Sequence, residues 1–169
     1  MIVGCLTAAC GSPSSPKTID LVAALSTAER RALHDPDAAI RSEFLQVGAN
    51  RLPAIVTEAP ARIIFPVRMP APARFLARVA LQPESSGATV RVGIADDRSY
   101  DELVRLALAH QPNGATAWQS VDVDLAAYSG WRWSLFYHPA RRTWKLVLNA
   151  DATPGGTVVW LQPTIDMRR

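Results

Sequence analysis

Most of the chain alternates apolar and polar residues in short runs, the period of a strand with one face buried. In Arg74–Leu81, residues Phe75, Ala77, Val79 and Leu81 share one face, while Arg74 and Arg78 lie on the other. In Thr89–Ile94, Val90, Val92 and Ile94 face inward and Arg91 faces out. The same texture predicts strands at Phe44–Val47, Ala54–Thr57, Arg62–Val67, Arg74–Leu81, Thr89–Ala95, Glu102–Ala109, Thr116–Asp124, Arg132–Tyr137, Thr143–Asn149 and Thr157–Gln162. Glu84–Ala88, Pro112–Ala115, Pro139–Arg142 and Thr153–Gly156 carry turn chemistry between them. Pro53, Pro60, Pro66, Pro70, Pro72 and Pro83 crowd the first half. A proline there must sit at an edge, a bulge or a turn, because it has no N–H to give a ladder.

Two segments depart from this texture. From Asp20 to His34, residues Leu21, Leu25, Ala28, Ala32 and Leu33 recur near helical spacing, and Ser26–Glu29 has the form of a capping box. A helix is predicted there, ended by Asp35-Pro36-Asp37, since proline disfavours helical geometry in the residue before it. Asp101–His110 fits a helix as well as a strand; the alternation of Val104–Leu108 favours the strand. No internal repeat at solenoid or propeller periods is present. Many short strands behind one helix argue for an antiparallel sandwich or barrel.

The chain has 169 residues, enough for one domain with a sizeable core. Its 49% hydrophobic and 20% charged content is globular and excludes wholesale disorder. The net charge of +3 comes from dispersed arginines, with Lys17 and Lys145 the lysines. Nucleic-acid binding calls for a clustered basic face with interleaved aromatics, which the linear pattern does not show, so no nucleic-acid partner is expected.

Both cysteines, Cys5 and Cys10, fall in the first ten residues, which leaves the rest of the chain without a disulfide or thiolate metal site. An apolar run, a cysteine and the tether Gly11-Ser12-Pro13-Ser14-Ser15-Pro16 resemble a bacterial lipoprotein signal and its linker. Cys10 has the better distance and tether, and Cys5 follows the better aliphatic position, Ile2-Val3-Gly4. The segment is shorter than a full signal and lacks its basic start. The expected organisation is a truncated lipoprotein-like signal and Ser/Pro tether over residues 1–17, then one β-sandwich domain with its helix over 18–169. No run reaches the roughly 18 apolar residues of a membrane span, so a lipid anchor on Cys10 or Cys5 is the expected membrane contact.

Candidate chemistry is sparse. His34, His110 and His138 are isolated, with no H-x-H or H-E-x-x-H, so no metal is expected. The nucleophile elbow G-x-S-x-G and glycine-rich phosphate loops are absent, and with them the expectation of an enzyme or a cofactor. The carboxylates of Asp96–Glu102 form a dense polar loop without the spacing of a calcium loop, read as a solvated turn. Among the tryptophans 118, 131, 133, 144 and 160, Trp118 and Trp160 sit in apolar strands and read as core. Trp131 and Trp133 point the same way if they share a strand. With Trp144 they are the candidate ligand contacts, since a tryptophan face stacks on a sugar ring.

The run Val121-Asp122-Val123-Asp124-Leu125-Ala126-Ala127-Tyr128-Ser129-Gly130, then Trp131–Tyr137 and the close Trp160-Leu161-Gln162-Pro163-Thr164-Ile165, carries a recognisable pattern. It resembles the ending of galactose-binding-like jelly-roll modules on bacterial cell-surface proteins. Physically, Leu125 and Tyr128 would plug the open end of a two-sheet core, with the Tyr128 hydroxyl bonded to nearby backbone. The resemblance implies an all-β antiparallel jelly-roll β-sandwich, preceded here by the short helix. It also implies a non-catalytic envelope module, lipid-anchored or secreted, whose partner is a glycan. The alternative is a protein-interaction or assembly domain of the bacterial cell envelope without a sugar site.

Overall fold

The computed structural model describes residues 17–69, 71–109, 116–129, 143–151 and 156–167. The predicted strand Arg132–Tyr137 and the tether lie outside them. Two antiparallel sheets form a sandwich. One orders β3 (Ile40–Val47), β4 (Asn50–Glu58), β11 (Thr157–Met167), β6 (Ala73–Leu81) and β9 (Gln119–Asp124), with β1 (Lys17–Asp20) also paired to β11. The other orders β2 (Glu29–Ala32), β5 (Ala61–Val67), β10 (Trp144–Asp151), β7 (Ala88–Ala95) and β8 (Tyr100–Leu108). The ambiguous segment after residue 100 is therefore a strand, as its alternation indicates.

The central strands each send an apolar row inward. Ile63 and Phe65 of β5, Phe75 and Val79 of β6, Val90 and Val92 of β7, Leu146 and Leu148 of β10, and Trp160 of β11 are all buried in one cluster. Each such side chain contributes about 1.5–3 kcal/mol when removed from water, which makes the sandwich the chain's main source of stability. Trp160, read from the sequence as core, is fully buried. Trp118 is half-buried on the opposite face of the β4–β11 layer, where it packs on a second cluster of Ala54, Val56, Val159 and Leu161. The guanidinium of Arg78 lies 5.2 Å from the centre of its ring.

The predicted helix over Asp20–His34 does not form. That stretch is the end of β1, a 3-10 turn at Ala23–Thr27, and β2. Asp20 closes the turn by accepting the N–H groups of Val22 at 2.8 Å and Ala23 at 3.3 Å, a side-chain bond that competes with helical pairing. Leu21 and Leu25 both reach the core, which is why their spacing imitates a helix, but Leu33 is exposed. Glu29–Ala32 instead pairs with Ile64–Ala61 of β5. Asp35-Pro36, expected to stop a helix, starts one. Asp35 caps the four-residue α1 (Pro36–Ala39) by accepting the N–H of Asp37 at 2.9 Å, with proline in the first turn.

The prolines obey the edge rule locally. Pro53 lies where β4 has run past β11, and Pro66 where β5 has run past β2, so each has a strand neighbour on one side alone. Pro163 sits at the irregularity of β11 between Leu161 and Thr164, where the partner on that edge changes from β4 to β1. Leu125 follows β9 and is fully buried, its N–H bonded to the Ala73 carbonyl at 2.8 Å. Leu125 therefore plugs the core end as the sequence pattern suggests. Tyr128 closes a 3-10 turn beside it, and among the described residues its hydroxyl donates to the Asp101 carboxylate at 3.2 Å, not to backbone.

Candidate functional site

The outward face of the five-stranded sheet carries the chain's densest set of functional side chains among the described residues. Antiparallel register places Arg31, Arg62, Asn149, Arg91 and Arg105 in one row across all five strands. The next row is Glu29, Ile64, Val147, Gly93 and Glu102. Over these rows lies an open groove of about 540 Å³, which reaches from Arg31 on β2 to Tyr100 on β8. A second hollow of about 310 Å³ adjoins it, shares Arg31, Arg62 and Asn149, and runs on to Leu33 and Asp151. At about 4.8 Å between strands, five strands give a trough of roughly 19 Å, long enough for several sugar rings.

Tyr100 is the central feature. Its ring lies directly over Gly93: a Cβ added at that glycine would sit 2.5 Å from the ring atoms Cε2 and Cζ and from the hydroxyl. Glycine inside a strand marks a place where something approaches the backbone closely, and here it is an aromatic ring. Tyr100 remains 45% exposed, so its ring is held without being covered. Beneath it the Arg62 Nε donates to Asn149 Oδ1 at 2.7 Å, and Asn149 Nδ2 donates to the Tyr100 hydroxyl at 3.5 Å. Asn149 is itself only 3% exposed, a buried amide forming the groove floor.

A register irregularity decides that Tyr100 stands here. Val92 pairs Val104, but Gly93 pairs Glu102, so one residue of β8 is unmatched. Without that bulge Tyr100 would keep the parity of Val104 and face the core. With it, Tyr100 and Glu102 turn to the groove, the re-aiming that bulges impose. Sequence alternation alone misses Tyr100 for this reason, although a glycine inside an otherwise β-branched strand was a readable signal.

The groove's charges are ordered by neighbours. Arg91 binds Asp151 Oδ2 through Nε at 2.8 Å and approaches Glu102 at 3.7 Å. Arg105 grips Glu102 with two hydrogen bonds of 2.8 and 3.0 Å, which holds that carboxyl below the usual carboxylate range; Arg91 adds to the effect. Arg31 pairs Glu29 through Nε at 2.6 Å, and Lys145 pairs Asp97 at 3.0 Å. Burial, then the negative Glu102, pushes the Tyr100 phenol up, so it stays protonated and able to donate at neutral pH.

The carboxylates of the Asp96–Glu102 loop do not converge. Asp96 takes the N–H groups of Arg98 and Ser99 at 2.6 and 2.7 Å and so ties the β7–β8 turn; Asp97, Asp101 and Glu102 each serve a different partner. Among the described residues no group of three or more His, Cys, Asp or Glu is placed to hold a metal ion. Nor does any described helix have the length and apolarity to cross a membrane.

The sequence-derived candidates fall elsewhere. Trp131, Trp133, Cys5 and Cys10 lie outside the described residues, as do His110 and His138. Trp144 is half-buried on the row of Leu146 and Leu148, packs against the core cluster, and meets the Tyr128 ring edge-on at 5.3 Å and 77°. The structure therefore places Trp144 on the core side and does not bring it into the groove. His34 is exposed.

No protein-family model matches the chain, and no curated protein matches its sequence. Solved structures do match its fold. The adhesin domain of Lys-gingipain from Porphyromonas gingivalis superposes with a TM-score of 0.59 at 9% identity, covering 92% of this chain and 99% of that one. The module TmCBM61, solved with β-1,4-galactotriose, gives 0.57 at 8% identity over 88% and 94%. The CBM22-1 xylan-binding domain from Paenibacillus barcinonensis gives 0.56 at 13% identity over 90% and 94%. At such identities the likeness is one of architecture, and the architecture is settled: this chain is an all-β, two-sheet antiparallel sandwich of the kind that carbohydrate-binding modules build.

Proposed function

We propose that the chain is a non-catalytic carbohydrate-binding module that takes a glycan along the outer face of its five-stranded sheet. The observation that carries this reading is Tyr100, an exposed aromatic ring laid over Gly93 in a groove walled by hydrogen-bonding side chains. Sugars present apolar C–H faces and a rim of hydroxyls. An exposed ring accepts the first, and a few fixed polar groups such as Arg62, Asn149 and the Tyr100 hydroxyl orient the second. Structural neighbours solved with galactotriose or named for xylan binding support the reading, since they show the architecture in that use. The tether and Cys10 or Cys5 would hold the module at a bacterial envelope. Replacing both cysteines with serine is then expected to move the protein from the membrane to the soluble fraction, and unchanged fractionation would defeat that anchor.

The second reading is a protein-interaction or assembly domain of the envelope. It is favoured by the opposite sheet, where the Ala54, Val56, Val159 and Leu161 cluster carries half-buried Leu45, Leu52 and Trp118, and where Phe44 is 62% exposed under Arg51. A glycan array on the full chain, with and without calcium, separates the two. Hits that weaken about 30-fold in Tyr100→Ala, the loss of a 2 kcal/mol anchor, would support the groove. Hits lost only in Trp131→Ala or Trp133→Ala would move the site to that segment. A folded sample with no hits would leave the interaction reading.

A further inference from the structure

Resting on the groove as a glycan site, we infer that its ligand is acidic: a polysaccharide bearing oxyanions, whether uronate carboxylates or sulfate esters, one of which pairs with Arg62. Five cations line the groove, Arg31, Arg62, Arg91, Arg98 and Lys145, against Asp96 as the lining acid. Three of them are matched by carboxylates beside them: Arg31 by Glu29, Arg91 by Asp151 and Glu102, and Lys145 by Asp97. Asp96 is engaged by the backbone of its own turn. Arg62 and Arg98 have no acidic partner among the described residues, and they sit on opposite sides of Tyr100's groove.

Arg62 is the better placed of the two. It lies in the cross-strand row between Arg31 and Asn149, and its Nε is fixed by Asn149, a bond to a neutral amide that orients the guanidinium without neutralising it. A planar fork held this way presents donors to an oxyanion in a chosen direction. A neutral sugar would leave this charge half-desolvated and unmatched, whereas an anionic one would satisfy it beside the ring it stacks on. Register gathers Arg31, Arg62 and Arg91 on this one face.

The test measures binding of the full chain to matched polymers by affinity electrophoresis and calorimetry. The pairs are polygalacturonate with its carboxyl-reduced form, and dextran sulfate with dextran; neutral galactan and xylan are added. Variants are Arg62→Gln, Tyr100→Ala and, as a control on the opposite sheet, Arg78→Gln. The expected result is tighter binding to one acidic polymer than to its charge-stripped partner, with Arg62→Gln lowering that affinity about 10- to 100-fold, as loss of a charged hydrogen-bonded pair implies. Arg78→Gln should change nothing, and the preference should weaken with salt. Which acidic arm binds tells carboxylate from sulfate. Equal binding of charged and stripped forms, still lost in Tyr100→Ala, would overturn the acidic ligand and leave the sugar groove standing. Equal loss in Arg62→Gln and Arg78→Gln would overturn it in favour of diffuse charge attraction. No binding to any polymer would overturn both readings.

Discussion

A single methyl group added at Gly93 tests the groove without removing any of its functional atoms. In Gly93→Ala the new Cβ would lie 2.5 Å from Tyr100 Cε2, Cζ and Oη. Ordinary carbon contacts are about 3.5–4.0 Å, so the ring must retreat by about 1 Å or more. It can do so cheaply, because it is the end of a side chain on a residue that is 45% exposed. Alanine inside a strand also gains about 0.5–1 kcal/mol over glycine through the unfolded chain, which offsets what strain remains. The net change in stability should stay within about 1 kcal/mol, a shift of Tm within about 3 °C for a domain this size. Binding should behave differently. Aromatic contacts of this type are worth about 0.5–1.5 kcal/mol, so displacing the ring should weaken a glycan about 2- to 12-fold. Calorimetric titration of the best array ligand, beside a thermal melt, measures both quantities on one sample. Unchanged affinity in a stable Gly93→Ala would refute the ring as a binding platform. A fall in Tm of many degrees would show instead that the ring is clamped in place and that its contact with Gly93 serves stability.

Two further outcomes are expected from the core end and from alkaline titration. Leu125→Ala empties a fully buried site at the end of the sandwich and should cost about 3 kcal/mol, or about 9 °C in a thermal melt. Tyr128→Phe removes only the bond to Asp101 and should cost much less; a stable Leu125→Ala would mean that this residue closes nothing. The phenols of Tyr100 and Tyr128 are both raised, each first by burial and then by a nearby carboxylate, Glu102 and Asp101 respectively. The folded state therefore holds these protons more tightly than the unfolded chain. That contribution is complete below about pH 10 and is lost as pH rises above it toward the folded values. The double variant Tyr100→Phe, Tyr128→Phe should show a shallower loss of Tm between neutral and strongly alkaline pH, and parallel curves would refute the assignment.

The strands were legible because burial on one side of a sheet imposes a period of two, which Phe75, Ala77, Val79 and Leu81 and then Val90, Val92 and Ile94 display. The Leu125 plug was legible too, as a short motif whose residues act within one turn. The N-terminal segment imitates a helix because Leu21 and Leu25 satisfy a helical period, Leu21 just before and Leu25 within a short 3-10 turn that Asp20 caps. Pairing of Glu29–Ala32 with β5 then overrides local preference, since a ladder partner about thirty residues away is invisible to a window of fifteen. Inward and outward faces, and so the outward position of Arg91, followed from the amino-acid order alone. Which outward residues meet did not. The row from Arg31 through Arg62, Asn149 and Arg91 to Arg105 exists only because five strands distant in sequence align in register. The turn of Tyr100 from core to groove depends on one unmatched residue in β8. Alternation is a local property of one strand facing water, whereas register and bulges are settled by how strands fit one another, and that is where the candidate site was made.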